Sequence, residues 1–364
     1  MGYPIFHMRF LDGIKILFLW PVSLIYGSAI ALRNLAYQAG IFKSQKAAIP
    51  VISVGNIVAG GTGKTPMVIL LARLLMGKGL RVAVLTRGYR RSLKKNTPGP
   101  LVVSDGISLK CGPAEAGDEP FLMASRLLGG KGHPGALVIV GKDRVAGAKK
   151  AAEMGVRVVI MDDGFQHRRL IRDMDIVLLD GDRPRDNGWL LPVGRLREQP
   201  SALKRAGIIV ATRCGNEIGC RNIDRLKRSQ GLTQPVFFCR HKAVKLRSDE
   251  RQPSVNLSLD NKLLLFSGIA RPDSFEDSVK SLGYSVGKHL IFGDHHSYDQ
   301  RDLMDITLVS GGYDAVVTTE KDAVKLPPGW NPGRPLFALE IEMAFNTIGE
   351  EEKMIEIIVE AIKG

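Results

Sequence analysis

A glycine-rich stretch near residue 60 restricts the fold more than any other part of the chain. The segment "VISVGNIVAGGTGKTPMVILLARLL" joins a β-branched run, a glycine-rich turn and a long apolar run after Gly63. Backbone N–H groups of such a turn, with the N-terminus of the following helix, form a cradle for phosphate. Lys64 and Thr65 stand where a phosphate-binding loop (P-loop) places its lysine and its Mg²⁺-binding hydroxyl. The stretch therefore predicts a strand, a P-loop and a helix, the first unit of an α/β sheet.

The loop departs from the usual pattern at its first position. G-x-x-x-x-G-K-[S/T] places a glycine five residues before Gly63, and this chain has Val58 there. The turn is still possible, because the glycines that remain tolerate positive φ and let the backbone approach a phosphate. We therefore predict nucleotide contacts from the whole loop, which consists of Val58, Ala59, Gly60, Gly61, Thr62, Gly63, Lys64 and Thr65.

The rest of the chain alternates between strand and helix patterns. β-Branched runs predict strands at 50–54, 81–86, 136–140, 156–161, 175–179 and 208–212. Repeated βαβ units predict a mostly parallel sheet flanked by helices. The alternation lapses in a basic stretch after residue 213 and resumes near residue 262. We predict a P-loop NTPase-type core at 47–213, a linker or two-stranded ribbon at 214–250, and a smaller α/β domain at 251–364.

The first 46 residues have a different character. Residues 16–32 carry no charge, but this run is at the lower limit for crossing a bilayer, and Pro21 and Gly27 interrupt it. One interpretation is a helix that lies in the membrane interface, with Trp20 and Tyr26 at the level of the lipid headgroups. The alternative is a helix buried against the domain. We predict a membrane-associating segment at 1–46.

The net charge of +14 indicates an anionic partner. Nucleic acid, an anionic membrane surface and a phosphorylated substrate all meet this requirement. The sequence contains no recognisable zinc knuckle, aromatic RNA-binding strand or helix-turn-helix, so we expect no nucleic acid. The four cysteines form no C-x-x-C pair, which argues against structural zinc and a disulfide framework. No obligatory protein partner is evident.

A pair of aspartates follows the apolar strand at 156–161. "VVIMDDG" places Asp162 and Asp163 at a strand end, where P-loop proteins hold an aspartate for the metal. "TTEKD" resembles the guanine-reading N/T-K-x-D, but Lys321 and Asp322 are adjacent, without the spacer. We therefore predict ATP and Mg²⁺. From these residues alone, a P-loop ATPase that switches or assembles a protein partner remains an alternative to a kinase.

Eight stretches in one order resemble the tetraacyldisaccharide 4′-kinase family, the lipid A 4′-kinases of Gram-negative bacteria. They are "VGNIVAGGTGKTP", "LTRGY", "GDEP", "DDGFQH", "LLPVGRLRE", "FSGIARP", "FGDHH" and "TTEKDAVKL". The loop of that family also lacks the first glycine. The resemblance implies that ATP phosphorylates the 4′-hydroxyl of tetraacyldisaccharide 1-phosphate, a glycolipid, to form lipid IVA. It also implies a peripheral or monotopic protein at the cytoplasmic face of the inner membrane.

The resemblance implies roles for individual residues as well. Lys64 acts on the phosphates, Asp118 accepts the proton of the hydroxyl, and His295 is the partner of Asp118. The metal region is expected to contain Thr65, Glu119, Asp162 and Asp163. Weaker expectations for substrate or phosphate contacts concern Arg144, His167, Arg197 and Glu198. Because Asp118 and His295 belong to different predicted domains, we expect closure of the domains to complete this pair.

Overall fold

The computed structural model describes residues 5–88, 99–130, 133–214, 217–248 and 257–363, without the side chains of residues 5–17. The tyrosine of "LTRGY" and the boundary between residues 250 and 251 lie outside these ranges. The elements in chain order are α1 (Ile5–Gln38), β1 (Val51–Asn56), α2 (Lys64–Gly77), β2 (Val82–Thr86), β3 (Leu101–Ser104), α3 (Pro113–Ala116), α4 (Asp118–Arg126), β4 (Leu137–Val140), α5 (Arg144–Glu153), β5 (Val158–Asp162), β6 (Met174–Asp180), a 3₁₀ turn (Pro200–Arg205), β7 (Ile208–Thr212), α6 (Glu217–Gln230), β8 (Val236–Ser248), β9 (Lys262–Ser267), α7 (Pro272–Ser281), β10 (Ser285–Ile291), α8 (Gln300–Ser310), β11 (Ala315–Thr319), α9 (Glu320–Ala323), β12 (Leu336–Phe345) and α10 (Glu350–Lys363).

The described strands form one sheet in the order β10-β9-β11-β12-β8-β7-β6-β1-β5-β2-β4-β3. Two of the strand pairs, β12 with β8 and β3 with β4, are antiparallel. β1 lies between β5 and β6, and all six of its residues are buried. Ligands of open α/β sheets bind at the carboxyl ends of such parallel strands. The fold confirms the mostly parallel sheet, and it places the P-loop after β1 beside Asp162 at the end of β5.

The two halves of the molecule share this sheet through β8 and β12. These long strands pair from Phe337 opposite Ser248 to Phe345 opposite Cys239. The segment 214–250, predicted as a linker or ribbon, contains the helix α6 and only one strand of the ribbon. The second strand comes from β12, nearly a hundred residues later in the chain.

The last helix packs differently from our expectation. We placed α10 in the smaller domain, because it follows that domain in the sequence. In the structure, Met354, Ile355 and Ile358 are buried in the same apolar cluster as β1 and α2. The reason is the direction of β12, which runs back along β8 and returns the chain to the P-loop core. The smaller unit thus consists of β9–β11 with α7 and α8, together with the first half of β12.

Helix α1 packs against the core on one face only. On the inner face the Ser23 hydroxyl donates to the Leu190 carbonyl at 3.0 Å. On the outer face Phe18, Ile25 and Leu32 are 74%, 70% and 68% exposed. The helix therefore packs on the domain along its inner face and is not buried as a whole. Within the described residues, no helix has the combination of length and hydrophobicity that would let it span a membrane.

Tyr26 does not take the position that we expected for it. Its hydroxyl donates to the Arg197 carbonyl at 3.0 Å, so the ring faces the protein rather than a headgroup layer. Burial raises the pKa of this phenol, although Arg197 and Arg33 oppose the rise. Trp20 lies on the exposed side of the helix, with 44% of its surface accessible.

Candidate active site

The P-loop has the backbone that its glycines predict. Gly63 caps α2 with φ 87°, and Gly60 has φ 117°, both in the region that side chains rarely adopt. A Cβ at Gly63 would lie 2.7 Å from Nε2 of His241 on β8. Thr62 is buried, and its hydroxyl accepts a hydrogen bond from Asn56 Nδ2 at 3.0 Å. The loop is thus a tight, pre-formed turn whose N–H groups precede the N-terminus of α2.

Val58 occupies a position that does not need glycine. It forms an antiparallel bridge with Leu196. The Ala59 N–H donates to the Arg195 carbonyl, and the Arg197 N–H donates to the Ile57 carbonyl, both at 2.7 Å. Valine suits such an extended, paired backbone better than glycine does. Main-chain hydrogen bonds on both sides of Val58 therefore connect the P-loop to the "LLPVGRLRE" segment.

Lys64 and Asp163 face each other at the loop. Lys64 Nζ lies 3.5 Å from Asp163 Oδ1, and Arg197 Nη1 donates to both Asp163 oxygens at 2.8 and 2.9 Å. Burial alone would raise the pKa of the Asp163 carboxyl, but these two cations hold it below its usual value. Asp163 is an ionised carboxylate whose oxygens are already occupied by Lys64 and Arg197.

Asp162 is in the opposite situation. It is buried at the end of β5, and one oxygen accepts from the Thr86 hydroxyl at 3.1 Å. Burial, together with the charges of Glu119 and Asp163, raises its pKa to about 6. Repulsion among neighbouring carboxylates is the condition that a divalent cation relieves. Thr65 is also buried, at the first turn of α2.

These oxygen donors fit Mg²⁺. The described residues contain no group of three acidic, histidine or cysteine side chains that could hold a metal alone. Mg²⁺ in kinase sites is typically bound by one or two carboxylates, with phosphate oxygens and water completing the octahedron. Asp162 and the Thr65 hydroxyl would hold it here.

The structure places the weaker candidates around this centre. Arg144 is buried and donates to the Asp162 carbonyl at 3.2 Å, so it braces the end of β5. Burial and the charge of Arg144 lower the pKa of His167 to about 4, and its Nε2 has no hydrogen-bond partner among the described residues. Glu198, only 1% exposed, pairs with Arg205 and accepts from Asn34 of α1. Glu198 therefore anchors α1.

Asp118 begins α4, and the charge of His295 acts on it. Burial raises the pKa of the Asp118 carboxyl, while the charges of Lys325 and His295 oppose that rise. Burial would also raise the pKa of Glu119, but the ion pair with Lys321 lowers it overall. Asp118 and His295, the expected general base and its partner, thus belong to one charged cluster, although they come from different halves of the chain.

Several residues of this region were not expected from the sequence. Lys321 and Lys325 bring positive charge from "TTEKDAVKL" to Glu119 and Asp118. Arg213, at the end of β7, donates to the Gly61 carbonyl at 3.2 Å and pairs with Asp180. Arg271 of "FSGIARP" joins the same Asp180 carboxylate at 2.9 Å. One available signal was position, because residues at the carboxyl ends of parallel strands meet at the same edge of a sheet.

Comparison with known proteins agrees with this geometry. The family model described as tetraacyldisaccharide-1-P 4′-kinase, LpxK, matches residues 15–363. The tetraacyldisaccharide 4′-kinase of Syntrophus aciditrophicus is 42% identical, with 88% of this chain and 87% of that protein aligned. The enzyme of the same name from Geobacter metallireducens is 41% identical over 92% and 95% of the two chains.

A solved structure extends the similarity to the fold. LpxK from Aquifex aeolicus, crystallised in complex with ATP, has a TM-score of 0.72 and 32% sequence identity. The superposition covers 94% of this chain and 98% of that one. The family match, the relatives and the shared fold agree over almost the whole length, and the chain belongs to the tetraacyldisaccharide-1-P 4′-kinase family.

Proposed function

We propose that this protein transfers the γ-phosphoryl group of ATP to the 4′-hydroxyl of tetraacyldisaccharide 1-phosphate and so forms lipid IVA. The observation that supports the proposal is a shared electrostatic environment: His295 acts on Asp118, and both His295 and the P-loop residue Lys64 act on the neighbouring Glu119. A hydroxyl acceptor requires a base within reach of its proton, and a nucleotide switch does not. Membership of the family, whose relatives bear the name of this activity, supports the same conclusion.

The proposed reaction is a direct displacement at phosphorus. The acceptor oxygen forms a bond to the γ-phosphorus while the bond from that phosphorus to the β,γ-bridging oxygen breaks. Asp118 takes the proton of the hydroxyl, and His295 orients and stabilises this carboxyl group. Lys64 and the N–H groups of the P-loop hold the phosphates in line. When bound, Mg²⁺ supplies charge neutralisation between the phosphate groups.

The two aspartates have different proposed roles. Asp162, whose carboxyl is buried and repelled by its neighbours, is the metal ligand. Asp163, which two cations already bind, keeps Lys64 and Arg197 aligned on the phosphates. Arg144 holds the backbone of Asp162, and His167 remains neutral beside it.

The activity is tested with [γ-³²P]ATP and tetraacyldisaccharide 1-phosphate, with the product identified as lipid IVA. Asp118→Asn should lower kcat by about 10²–10⁴-fold, the usual contribution of a general base. Asp277→Asn, an exposed aspartate on α7, is the matched control and should behave as the wild type. Hydrolysis of ATP without transfer to the lipid would contradict the proposal and favour the switch ATPase.

We also propose that α1 docks the protein on an anionic membrane, at the cytoplasmic face of the inner membrane of a Gram-negative bacterium. Its outer face presents a continuous apolar surface, and the chain carries +14 net charge. Apolar side chains that enter the acyl region and cations that face anionic headgroups together give stable interfacial binding.

Point substitutions on the outer face test this docking. Ile25→Glu with Leu32→Glu should lower binding to phosphatidylglycerol vesicles by at least about tenfold, since each buried side chain is worth about 1.5–3 kcal/mol. Leu308→Glu is the control, because Leu308 is 81% exposed on α8, in the other half of the molecule. Equal sedimentation of both variants with vesicles would refute the role of α1.

A further inference from the structure

The segment 318–326, "TTEKDAVKL", has no part in the nucleotide and metal contacts described above. It follows β11 and contains the short helix α9. We infer that Asp322 in this segment is a positioning residue. It fixes the backbone of His295 through Gly268 and so keeps His295 in position beside Asp118 at the phosphoryl-transfer site. The inference rests on the proposed function, because it assigns the residue a role through His295.

Asp322 is unusual in being a carboxylate with no exposed surface. Its oxygens accept from the Gly268 N–H at 3.0 Å and from the Thr319 hydroxyl at 2.7 Å, and Lys325 Nζ lies at 2.8 Å. Burial of an ion pair is costly, and well-packed apolar residues are often at least as stabilising. A buried charge that is satisfied this completely therefore suggests a requirement for specific geometry rather than for stability.

Gly268 connects Asp322 to His295 by two hydrogen bonds of its backbone. Its N–H is held by Asp322, and its carbonyl accepts the His295 N–H at 2.9 Å. His295 has φ 59°, a left-handed conformation that costs energy in a residue with a side chain. Such a conformation persists only where the surroundings enforce it. The peptide groups on the two sides of Gly268 thus connect Asp322 to the backbone of His295.

The same segment also binds α4, the helix that carries Asp118. Lys321 pairs with Glu119 in the first turn of α4, and Glu320 binds Arg126 in the last turn at 2.8 and 2.9 Å. Lys325, the partner of Asp322, places its positive charge near Asp118. Residues 318–326 therefore bind the helix that carries Asp118 and, through Asp322 and Gly268, the backbone of His295.

The first test is Asp322→Asn, measured by steady-state kinetics with the disaccharide acceptor. We expect kcat to fall about 10–100-fold, the cost of a misplaced catalytic group, while the KM for ATP stays within about twofold. Lys288→Met, an exposed lysine on β10, is the control and should retain wild-type kinetics. A kcat like that of the wild type in Asp322→Asn would overturn the inference.

A double-mutant cycle separates positioning from general destabilisation. If Asp322 acts through His295, then Asp322→Asn should reduce kcat little further when His295→Ala is already present. Losses that multiply in the double variant would show that Asp322 acts independently of His295 and would overturn the inference. The wild type must first phosphorylate the disaccharide, and its failure to do so would refute the proposed function rather than this role.

Gly268→Ala provides a second variant if Asp322→Asn does not fold. The added Cβ would lie 2.9 Å from His296 Cβ and 3.2 Å from the Gly293 carbonyl oxygen, so the His295 turn must shift. The expected result is again a loss of kcat that disappears in the His295→Ala background. Full activity in Gly268→Ala would show that phosphoryl transfer does not depend on the position of this turn and would overturn the inference.

Discussion

Arg126 offers the sharpest test of how the two halves of the molecule are held together. Its guanidinium is 3% exposed and faces three carboxylates. Nη1 binds both oxygens of Glu320, and Nη2 lies 3.0 Å from Glu340 and 3.2 Å from Glu342. These acids come from α9 and β12, whereas Arg126 ends α4 of the P-loop core. Arg126→Met would leave the carboxylates facing one another.

The expected cost follows from burial. Removal of one partner from a buried ion pair costs about 3–5 kcal/mol, because the other charge stays uncompensated. Glu320 and Glu340 are 16% and 11% exposed and lose their main partner, so we take the lower part of this range, about 3–4 kcal/mol. Glu342 contributes little, because it is 37% exposed and keeps Arg73.

Urea unfolding of both variants measures this difference. Arg73→Met is the matched control, because Arg73 also binds Glu342 but is 39% exposed, and its loss should cost about 0–1 kcal/mol. The free energy of unfolding of Arg126→Met should lie well below that of the control. Equal stability of the two variants would show that the network does not act as a buried ion pair.

The effect should also depend on pH. Burial raises the pKa of Glu320 even with Arg126 in place, and the loss of Arg126 would raise it further. A carboxyl group whose pKa is higher in the folded state favours folding at low pH, and this contribution is lost as the pH rises through the folded pKa. The deficit of Arg126→Met should therefore be larger at pH 8 than at pH 5.5. A deficit that did not change between these pH values would contradict this explanation.

Three further substitutions test the site itself. Asp162→Asn should abolish transfer. In thermal melts at pH 8 without ATP or metal, it should stabilise the protein by up to about 2–3 kcal/mol, because burial and Glu119 raise the pKa of Asp162 to about 6 and disfavour its ionised form. Gly60→Ala should raise the KM for ATP about tenfold, because φ is 117° and the Arg195 guanidinium occupies the space of the Cβ. Val58→Gly should lower the stability by about 1 kcal/mol and bring no gain in ATP affinity, because the paired strand loses its side chain.

The sheet could be predicted from the sequence largely because its strands are buried on both faces. β1, β2, β5, β6 and β7 read as continuous apolar runs, and each lies within two residues of its expected position. α6 was overlooked because the segment is strongly polar and basic, although its buried residues Gly219, Ile223 and Leu226 have the i, i+4, i+7 spacing of one helix face. β3 was missed because it is a short antiparallel edge strand that is only partly buried.

The site was predictable where its residues are close in sequence and not where distant segments meet. The strand, turn and helix of the P-loop are local, so Lys64 and Thr65 could be assigned from spacing. Arg126 and Glu320 are 194 residues apart, and Lys321 and Glu119 are separated by 202. Periodicity contains no information about such pairs. The resemblance supplied the motif "TTEKDAVKL", but only the structure shows which carboxylates its lysines meet.

The "LLPVGRLRE" loop explains how a P-loop could serve an acceptor held in a membrane. Its Leu190 and Arg197 carbonyls bind the inner face of α1, Leu196 pairs with Val58, and the Arg197 guanidinium holds Asp163 beside Lys64. A single loop thus separates the apolar face of α1 from the phosphate cradle. If α1 lies in the interface, the cradle stands next to the headgroup layer, where the sugar hydroxyl of a glycolipid would be. Deletion of α1 would disturb Arg197 as well as membrane binding, so substitutions confined to its outer face are the ones that can separate docking from catalysis.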